Sequence, residues 1–354
     1  MAKNEFMDFL GCPDRVCLVA EVSCNHGGDL KRAIQMIRTA KECGADAVKF
    51  QTYTPDSLTL DVKNRYFTIH HPKWGGQTLY QLYKKTAPPL TWFKRLKEVA
   101  DEVGIVFFST ALDAASVDLL ETLDVPCHKL TSFELVDLGL VRCAARTGKP
   151  LILSTGMATI EEIREAVQTA KRAGASRIAL LKCLSSYPAP WEQMNLRTIP
   201  DLRRRFRRPV GLSDHSLGTH AAVAAVALGA VLIEKHFILS KKIKTPDSFF
   251  SIVPSELEAL VKAVRIVEKS LGQVHYGLTD AEQKSKVFRR SLFVARDVKK
   301  GEVFTEENVR SVRPSNGLSP KYLPFILGKR ARVHVAKGTP LSPKHIQQLS
   351  RVMR

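Results

Sequence analysis

The chain has 354 residues, of which 44% are hydrophobic and 25% are charged, and its formal net charge at pH 7 is +19. This composition is typical of a soluble globular protein, and the longest apolar run, 221–233, is interrupted by Gly229 and too short to cross a bilayer. The first residues include acids where a signal peptide needs an apolar stretch, so we expect no membrane association and a cytoplasmic location.

The cysteines indicate the same compartment. There are seven, an odd number, and none are spaced as Cys-x-x-Cys. Disulfides are rare in reducing compartments, so this usage favours buried, reduced thiols over a disulfide framework.

Eight short apolar segments alternate with helical patterns along the first 273 residues. They lie at 16–22, 47–51, 106–109, 129–132, 151–154, 178–182, 209–212 and 231–234. Apolar or β-rich strands in a strand–helix alternation are typical of a parallel sheet with helices on its outer side. Eight repeats predict a (β/α)8 TIM barrel over residues 1–273. Residues 52–90, which include His70, His71 and Trp74, are predicted to be an insertion covering the active site.

The pattern changes after Gly272. Residues 274–287 are polar and are predicted to be a linker, and residues 288–354 are predicted to form a small β-rich domain with strands at 291–295 and 332–336. From residue 281 onward, 17 Lys and Arg stand against 5 Asp and Glu, a net charge of +12. No helix-turn-helix, RNA-binding or zinc-finger pattern accompanies this charge, so we expect no nucleic-acid partner. A non-catalytic protein that binds anions or nucleic acid stays open as an alternative.

Charged and hydroxyl residues occur at the C-terminal end of every predicted barrel strand. They are Glu21; Lys49 and Gln51; Ser109 and Thr110; Lys129, Ser132 and Glu134; Ser154; Lys182; Ser213, Asp214 and His215; and Glu234, Lys235 and His236. The loops at these ends converge on one mouth, so the residues are predicted to share a site. Packing alone does not explain them, because a buried charge without a partner is costly.

The cations among these residues predict an anionic substrate. Lys49, Lys129 and Lys182 are expected to point into one pocket for phosphate or carboxylate. Hydroxyl groups that could donate to phosphate oxygens come from Ser132, Ser154 and Ser213. The helix predicted to begin near Ile160 would add backbone N–H donors.

Two histidines predict a metal. His215 and His236 end neighbouring predicted strands, so their rings could bind one catalytic divalent ion with open positions for substrate oxygens. No cysteine lies nearby in sequence, which disfavours a structural zinc site. His26 is a further candidate at the mouth of the first strand.

Six segments resemble the sialic acid synthase family, in the family's order. They are EVSCNHGG (21–28), VKFQTY (48–53), LSTGMAT (153–159), GLSDHSLG (211–218), IEKHF (233–237) and RRSLFV (289–294), the last being similar to the start of the antifreeze-like (SAF) domain. Within the family, 74–83, 129–137 and 181–190 most resemble pseudaminic acid synthases. The resemblance implies condensation of phosphoenolpyruvate with an altrose-type 2,4-diacetamido-2,4,6-trideoxy-hexose, with C–O cleavage, to a nonulosonic acid and phosphate. Synthesis of N-acetylneuraminate or legionaminate from an N-acetylmannosamine-type sugar is the alternative within the family.

The resemblance also implies roles for individual residues. His215 and His236 would bind Mn2+ or Mg2+, and Glu21 would be the acid/base. Phosphoenolpyruvate would contact Lys49, Thr110, Lys129, Ser132, Ser154 and Ser213. The sugar would face Gln51, Tyr187 and Asp247. The family's domain-swapped homodimer implies that Phe288 and Arg313 reach the partner's site.

Two points stay open. Residues 241–245 (KKIKT) stand where the family usually has an acidic, glycine-containing loop before Pro246 and Asp247, which affects the predicted sugar contacts. A Schiff base on Lys129 or Lys182, as in pyruvate aldolases on this fold, is an enzymatic alternative.

Overall fold

The structure is a computed structural model that describes residues 15–70 and 74–348. It forms two compact units, Met1–Gly272 and Gln273–Arg354. The finer boundaries at 273/274 and 287/288 stay predictions from the sequence, and His71 lies outside the described residues. Within the described ranges, no helix has both the length and the apolar character to cross a bilayer.

Eight parallel strands close into a barrel, as the sequence predicts. They are β1 (Cys17–Glu21), β2 (Ala47–Thr52), β3 (Val106–Ala111), β4 (His128–Leu130), β5 (Leu151–Ser154), β6 (Ile178–Cys183), β7 (Val210–Asp214) and β8 (Leu232–His236). Each strand pairs with the next, and β8 pairs with β1 so that His236 lies opposite Glu21. The fold is the predicted TIM barrel.

Most helices of the first unit cover the outside of the barrel, while two short ones line the cavity at its mouth. The helices are α1 (Leu30–Glu42), α2 (Pro55–Leu58), α3 (Leu79–Thr86), α4 (Trp92–Val103), α5 (Ala114–Thr122), α6 (Leu138–Arg146), α7 (Ile160–Ala173), α8 (Thr198–Phe206), α9 (His220–Ala227) and α10 (Pro254–Leu271). Local sequence explains their ends. At α7, Thr159 and Glu162 form a reciprocal capping box, and Gly174 ends the helix at a φ of 104°. The two that line the cavity, the short α2 and α3, belong to the predicted insertion.

The barrel interior has an apolar lower part and a polar upper part. Alternate strand residues point inward, and the lower ones form a buried cluster that includes Val19, Phe108, Ile152 and Leu181. The next inward position toward each C-terminal end is occupied by Glu21, Lys49, Thr110, Lys129, Ser154, Cys183, Ser213 and Glu234. Seven of these eight are polar or charged, and all eight lie toward the C-terminal ends of their strands.

The second unit is a small domain around its own core. Strands β9 (Ser291–Val294) and β10 (Val309–Val312) pair antiparallel, and a short helix, α11, covers Leu323–Ile326. The core includes Leu292, Phe304 and Leu341. The strand predicted at 332–336 is wrong, because this segment makes only an isolated bridge between Val335 and Val298. The partner of β9 is β10.

Candidate active site

A cavity of about 460 Å³ opens at the C-terminal ends of the barrel strands. Its floor is the polar ring of inward strand residues, and its wall comes partly from the insertion after β2. The insertion contributes Leu58, Ile69, Trp74, Leu79, Leu82, Tyr83 and Thr86. The prediction that this segment covers the site is therefore confirmed for the described residues.

A buried ion-pair network forms the floor of the cavity. The Lys49 ammonium lies 2.7 Å from Glu21 Oε2 and 3.7 Å from Glu234 Oε1, and it donates to Thr110 Oγ1 at 2.9 Å. The Glu21 Oε2 contact is a close ion pair without hydrogen-bond geometry, since this oxygen has no hydrogen-bond partner. Thr110 is fully buried beneath the cavity and does not line it. Its hydroxyl contacts Lys49, which does.

Lys129 holds the other side of the same network. Its ammonium donates to Ser154 Oγ at 2.8 Å and lies 3.9 Å from Glu234 Oε2. Ser213 Oγ donates to Glu234 Oε1 at 3.0 Å. Two ammonium groups and one hydroxyl thus converge on the Glu234 carboxylate at the bottom of the pocket.

Burial and charge act against each other in this network. Burial raises the pKa of the Glu21 carboxyl, and Lys49 only partly offsets the effect. Burial also opposes ionisation of Glu234, but the ammonium groups of Lys129 and Lys49 outweigh it and lower the pKa of Glu234 to about 2. Burial lowers the pKa of Lys129, whereas Glu21 and Glu234 together raise the pKa of Lys49. The two carboxyls are therefore placed in different environments.

The two predicted metal ligands are neighbours at the mouth. The ring centroids of His215 and His236 lie 5.2 Å apart. His215 Nδ1 lies 2.9 Å from the Leu184 carbonyl oxygen, which fixes the proton on Nδ1 and leaves the lone pair on Nε2. His236 Nδ1 is buried without a hydrogen-bond partner and lies 3.5 Å from Asp247 Oδ2.

These two side chains fit a catalytic metal better than a structural one. The described residues contain no cluster of three or more His, Cys, Asp or Glu arranged to hold an ion. Two imidazoles alone would leave coordination positions for substrate oxygens. The pair therefore fits the predicted metal in number and spacing.

The turn after β5 lies beside these groups. Ser132 Oγ accepts a hydrogen bond from the Gly156 backbone N–H at 2.9 Å. A Cβ built on Gly156 would lie 2.4 Å from Ser185 Oγ and 2.7 Å from Ser132 Oγ, so a side chain here would push both serines aside. Glycine therefore lets the backbone lie close to these two hydroxyl groups.

The predicted sugar-side residues lie on the opposite rim. Gln51, Tyr187 and Asp247 all line the cavity. The Tyr187 ring packs against His215 with centroids 4.4 Å apart, and Trp74 Nε1 donates to the Pro246 carbonyl at 3.1 Å. The insertion and the loop that carries Asp247 thus meet near His215 and His236.

Some residues grouped at the mouth from the sequence point elsewhere. Lys182 does not line the cavity; its ammonium donates to the Cys183 carbonyl at 2.9 Å. The inward residue of β6 is Cys183, so the expected third cation is absent from the pocket. His26 is also outside it, buried with its ring 5.5 Å from that of Trp92. Ser109, Asp214 and Lys235 occupy the outer face of the barrel wall.

Two further residues complete the site. From the sequence, Glu234 is one of the charged strand-end residues and has no predicted role. In the structure it lies close to the ammonium groups of Lys49 and Lys129 and accepts a hydrogen bond from Ser213. Ser23 lines the cavity and bonds Asp247 and Gln51, and no sequence pattern singles it out. Phe288 and Arg313 lie exposed in the second unit, and their predicted role stays a prediction.

Comparisons with known proteins give one consistent result. The NeuB family profile matches residues 36–276, and the SAF domain profile matches residues 289–347. A pseudaminic acid synthase from Campylobacter jejuni is 44% identical over 94% of this chain and 97% of the relative. One from Helicobacter pylori is 42% identical over 94% of this chain and 98% of the relative.

The solved structures agree with the fold. The crystal structure of an N-acetylneuraminic acid synthetase from Leptospira borgpetersenii, in complex with citrate, superposes with a TM-score of 0.69 at 32% identity. It covers 77% of this chain and 90% of that protein. The family profile spans more than half of the chain, and the relatives match it nearly end to end. This chain belongs to the NeuB family.

Proposed function

We propose that this chain is an enzyme that condenses phosphoenolpyruvate with a 2,4-diacetamido-2,4,6-trideoxy-hexose of the altrose type. The products are a nonulosonic acid of the pseudaminic type and inorganic phosphate. The observation that carries the proposal is the pair His215 and His236 above a floor where Lys49 and Lys129 flank Glu234. The two pseudaminic acid synthases at 42% and 44% identity support the choice of sugar.

Phosphoenolpyruvate binding is assigned to the floor. Lys49 and Lys129 supply positive charge, and the hydroxyls of Ser132, Ser154 and Ser213 supply donors for carboxylate and phosphate oxygens, while Thr110 acts from beneath the cavity by binding the Lys49 ammonium. Both ammonium groups are already held by buried carboxylates, so they are positioned before the substrate arrives. Such prepositioned charges stabilise developing negative charge without reorganising.

The reaction forms one C–C bond and one C–O bond, the latter to the oxygen of water, and breaks the C–O bond between C2 and the phosphate group. C3 of phosphoenolpyruvate attacks the aldehyde carbon of the open-chain sugar, and water adds to C2. Glu21 accepts the proton from this water, and burial, which raises the pKa of its carboxyl, makes it a stronger base. Phosphate then leaves from C2 with its bridging oxygen and takes the proton of the new C2 hydroxyl, which gives the 2-keto acid, and the proton accepted by Glu21 passes to the oxygen of the former aldehyde. No step needs a Schiff base on Lys129.

A divalent ion, Mn2+ or Mg2+, is proposed to bind between His215 and His236. Polarisation of the aldehyde oxygen is the chemistry that such an ion supplies when bound. The Leu184 carbonyl orients His215, and Asp247 lies beside His236, as second partners of metal-binding histidines commonly do.

The wall of the cavity supports a deoxy sugar with acetyl groups. The apolar side chains of Leu58, Leu79 and Leu82 line the same cavity as Gln51 and Asp247. Burial of methyl groups against such a wall is favourable, whereas a free hydroxyl group there would lose hydrogen bonds to water. This favours the trideoxy sugar over N-acetylmannosamine, which carries more hydroxyl groups. Legionaminate synthesis is the second candidate, since its sugar shares the acetamido groups.

Assembly and location are proposed from the family resemblance. We infer a domain-swapped homodimer in which Phe288 and Arg313 reach the partner's site. A cytoplasmic location fits a biosynthetic enzyme that consumes phosphoenolpyruvate.

The decisive test is turnover by the purified protein. Phosphoenolpyruvate, Mn2+ and a panel of N-acyl hexosamines are supplied, and products are separated by mass and retention. The altrose-type diacetamido sugar should give the fastest turnover, and pyruvate alone should give none. In 18O-water the label should enter the nonulosonic acid and not the released phosphate. Turnover with pyruvate, or label in the phosphate, would overturn the mechanism; faster turnover of N-acetylmannosamine would overturn the sugar assignment.

A further inference from the structure

Ser23 has an unfavourable backbone conformation at the edge of the cavity. It follows β1 directly, its φ is +47°, and it is buried. In this left-handed region the Cβ of an L-residue crowds the following carbonyl, so glycine is the residue that fits without cost. Among the described non-glycine residues with such a φ, Ser23 is the one that lines the cavity.

The Ser23 hydroxyl joins two parts of the site. It donates to Asp247 Oδ2 at 2.6 Å and accepts from Gln51 Nε2 at 3.1 Å. Gln51 Nε2 also donates to Glu21 Oε1 at 2.9 Å. One hydroxyl therefore connects the proposed base, through Gln51, with the carboxylate beside His236.

The loop that carries Asp247 is held to the first strand by a second set of contacts. Asn25 Nδ2 donates to the Phe237 carbonyl at 2.9 Å and to Ser251 Oγ at 2.8 Å, and Thr245 Oγ1 donates to Asn25 Oδ1 at 2.5 Å. These contacts and the bond from Trp74 Nε1 to the Pro246 carbonyl hold the backbone of the loop on either side of Asp247. Ser23 binds the Asp247 carboxylate itself, at the side chain that faces the cavity.

We propose that Ser23 is a positioning residue for the sugar, which it orients through Gln51 and Asp247. The inference rests on the proposed function in one respect, the assignment of those two residues to the sugar. Glycine would fit the backbone of Ser23 better than serine does. We infer that serine is present because its hydroxyl both donates a hydrogen bond to Asp247 and accepts one from Gln51. Glycine would relieve the backbone and lose the link, and alanine would lose the link while keeping the unfavourable φ.

The test compares Ser23→Gly with Ser23→Ala. Both variants should lower kcat/KM for the sugar at least about tenfold, as expected for loss of hydrogen bonds to a charged group, and leave KM for phosphoenolpyruvate within about twofold. Ser23→Ala should melt at a lower temperature than Ser23→Gly, because only alanine keeps a Cβ at the left-handed φ. Arg207→Gly is the control, since Arg207 has a φ of 50° at the end of α8, away from the cavity. It should leave both kinetic constants unchanged.

A sugar kcat/KM at the wild-type level in Ser23→Gly would overturn the inference, and so would a defect confined to Ser23→Ala, which would trace to the backbone. Amide hydrogen exchange gives a measure that is independent of turnover. Exchange across residues 245–251 should be faster in both Ser23 variants than in the wild type and Arg207→Gly. If the wild type turns over no amino sugar, the proposed function fails. Unchanged amide exchange across residues 245–251 in the two Ser23 variants would separately overturn the positioning role.

Discussion

Lys235 and Asp214 form an ion pair on the outer face of the barrel wall, with Lys235 Nζ 2.8 Å from Asp214 Oδ2. Both side chains are almost fully buried. Asp214 Oδ1 also accepts from the backbone N–H of Ser216 at 2.8 Å. Since Asp214 precedes His215 and Lys235 precedes His236, the pair ties together the two strand ends that present the rings proposed to bind the metal.

Lys235→Met tests this relationship. Loss of one partner leaves the Asp214 charge buried and unpaired, so the free energy of unfolding should fall by about 3–5 kcal/mol. Denaturant unfolding measures this, and titration of Mn2+ into the folded variant should show weaker binding. Lys262→Met is the control, because Lys262 makes an exposed pair with Glu258 at 2.7 Å on α10. That change should cost less than about 1 kcal/mol, and equal losses in the two variants would refute the buried role.

His236→Ala should abolish turnover and leave the barrel folded. The imidazole lies at the mouth, where its loss removes a proposed metal ligand without opening the apolar core. Turnover, circular dichroism and Mn2+ binding are measured together. His220→Ala, at the exposed start of α9, serves as the control and should behave as the wild type. Activity that survives both this change and chelation would defeat the metal assignment.

Lys129→Met and Lys182→Met compare two lysines that are both predicted from the sequence to point into the anion-binding pocket. Lys129 lines the cavity and bonds Ser154, whereas Lys182 lies outside it. KM for phosphoenolpyruvate should rise at least about tenfold in Lys129→Met, the cost of losing a charge-assisted hydrogen bond, and stay unchanged in Lys182→Met. Borohydride with pyruvate should trap no adduct on either lysine. A trapped adduct would favour the Schiff-base alternative.

Arg313→Ala should mainly weaken sugar binding if the domain swap holds. One guanidinium contact contributes about 1.5–3 kcal/mol, so KM for the sugar should rise by roughly one to two orders of magnitude. Steady-state kinetics and the mass of the assembly in solution are the measurements. An unchanged KM for the sugar, or a monomer with full activity, would contradict the proposed dimer.

Acid should destabilise the protein partly through His26. Burial lowers the pKa of His26 from 6.5 to about 4, and its Nδ1 accepts from the Gly28 N–H at 3.1 Å. The unfolded chain binds this proton below about pH 6.5 and the folded chain only below about pH 4, so the free energy of unfolding should fall across this window by on the order of 3 kcal/mol. Urea unfolding between pH 4 and 7 should show a shallower dependence in His26→Asn, whose amide oxygen replaces Nδ1 as acceptor. An identical slope in both proteins would contradict this account.

Much of the architecture could be predicted from the chain alone. Eight apolar segments, each followed by a helical pattern, indicate a closed barrel because helices bury the outer face of every strand. Polar residues at the strand ends then mark the mouth. The proximity of His215 and His236 could be predicted because β7 and β8 follow one another in the chain and are therefore neighbours in the barrel.

The sequence could not decide which strand residues face inward. Lys129 and Lys182 both sit near the ends of apolar strands, and both strands are buried on two faces. Such strands lack the alternation of polar and apolar residues that reveals an inner side. The structure points Lys129 into the cavity and Lys182 out of it.

By itself, then, the sequence determined the barrel, its small second domain and the end of the barrel that carries the chemistry, because these depend on patterns along the chain. Only the tertiary structure decided the network of Glu21, Lys49 and Glu234, and the link from Ser23 to Asp247 across 224 residues. The ion-pair network depends on strand register, and the link depends on the hydroxyl of Ser23, a residue with an unusual φ. Neither the strand register nor the φ of Ser23 produces a periodic pattern in the sequence.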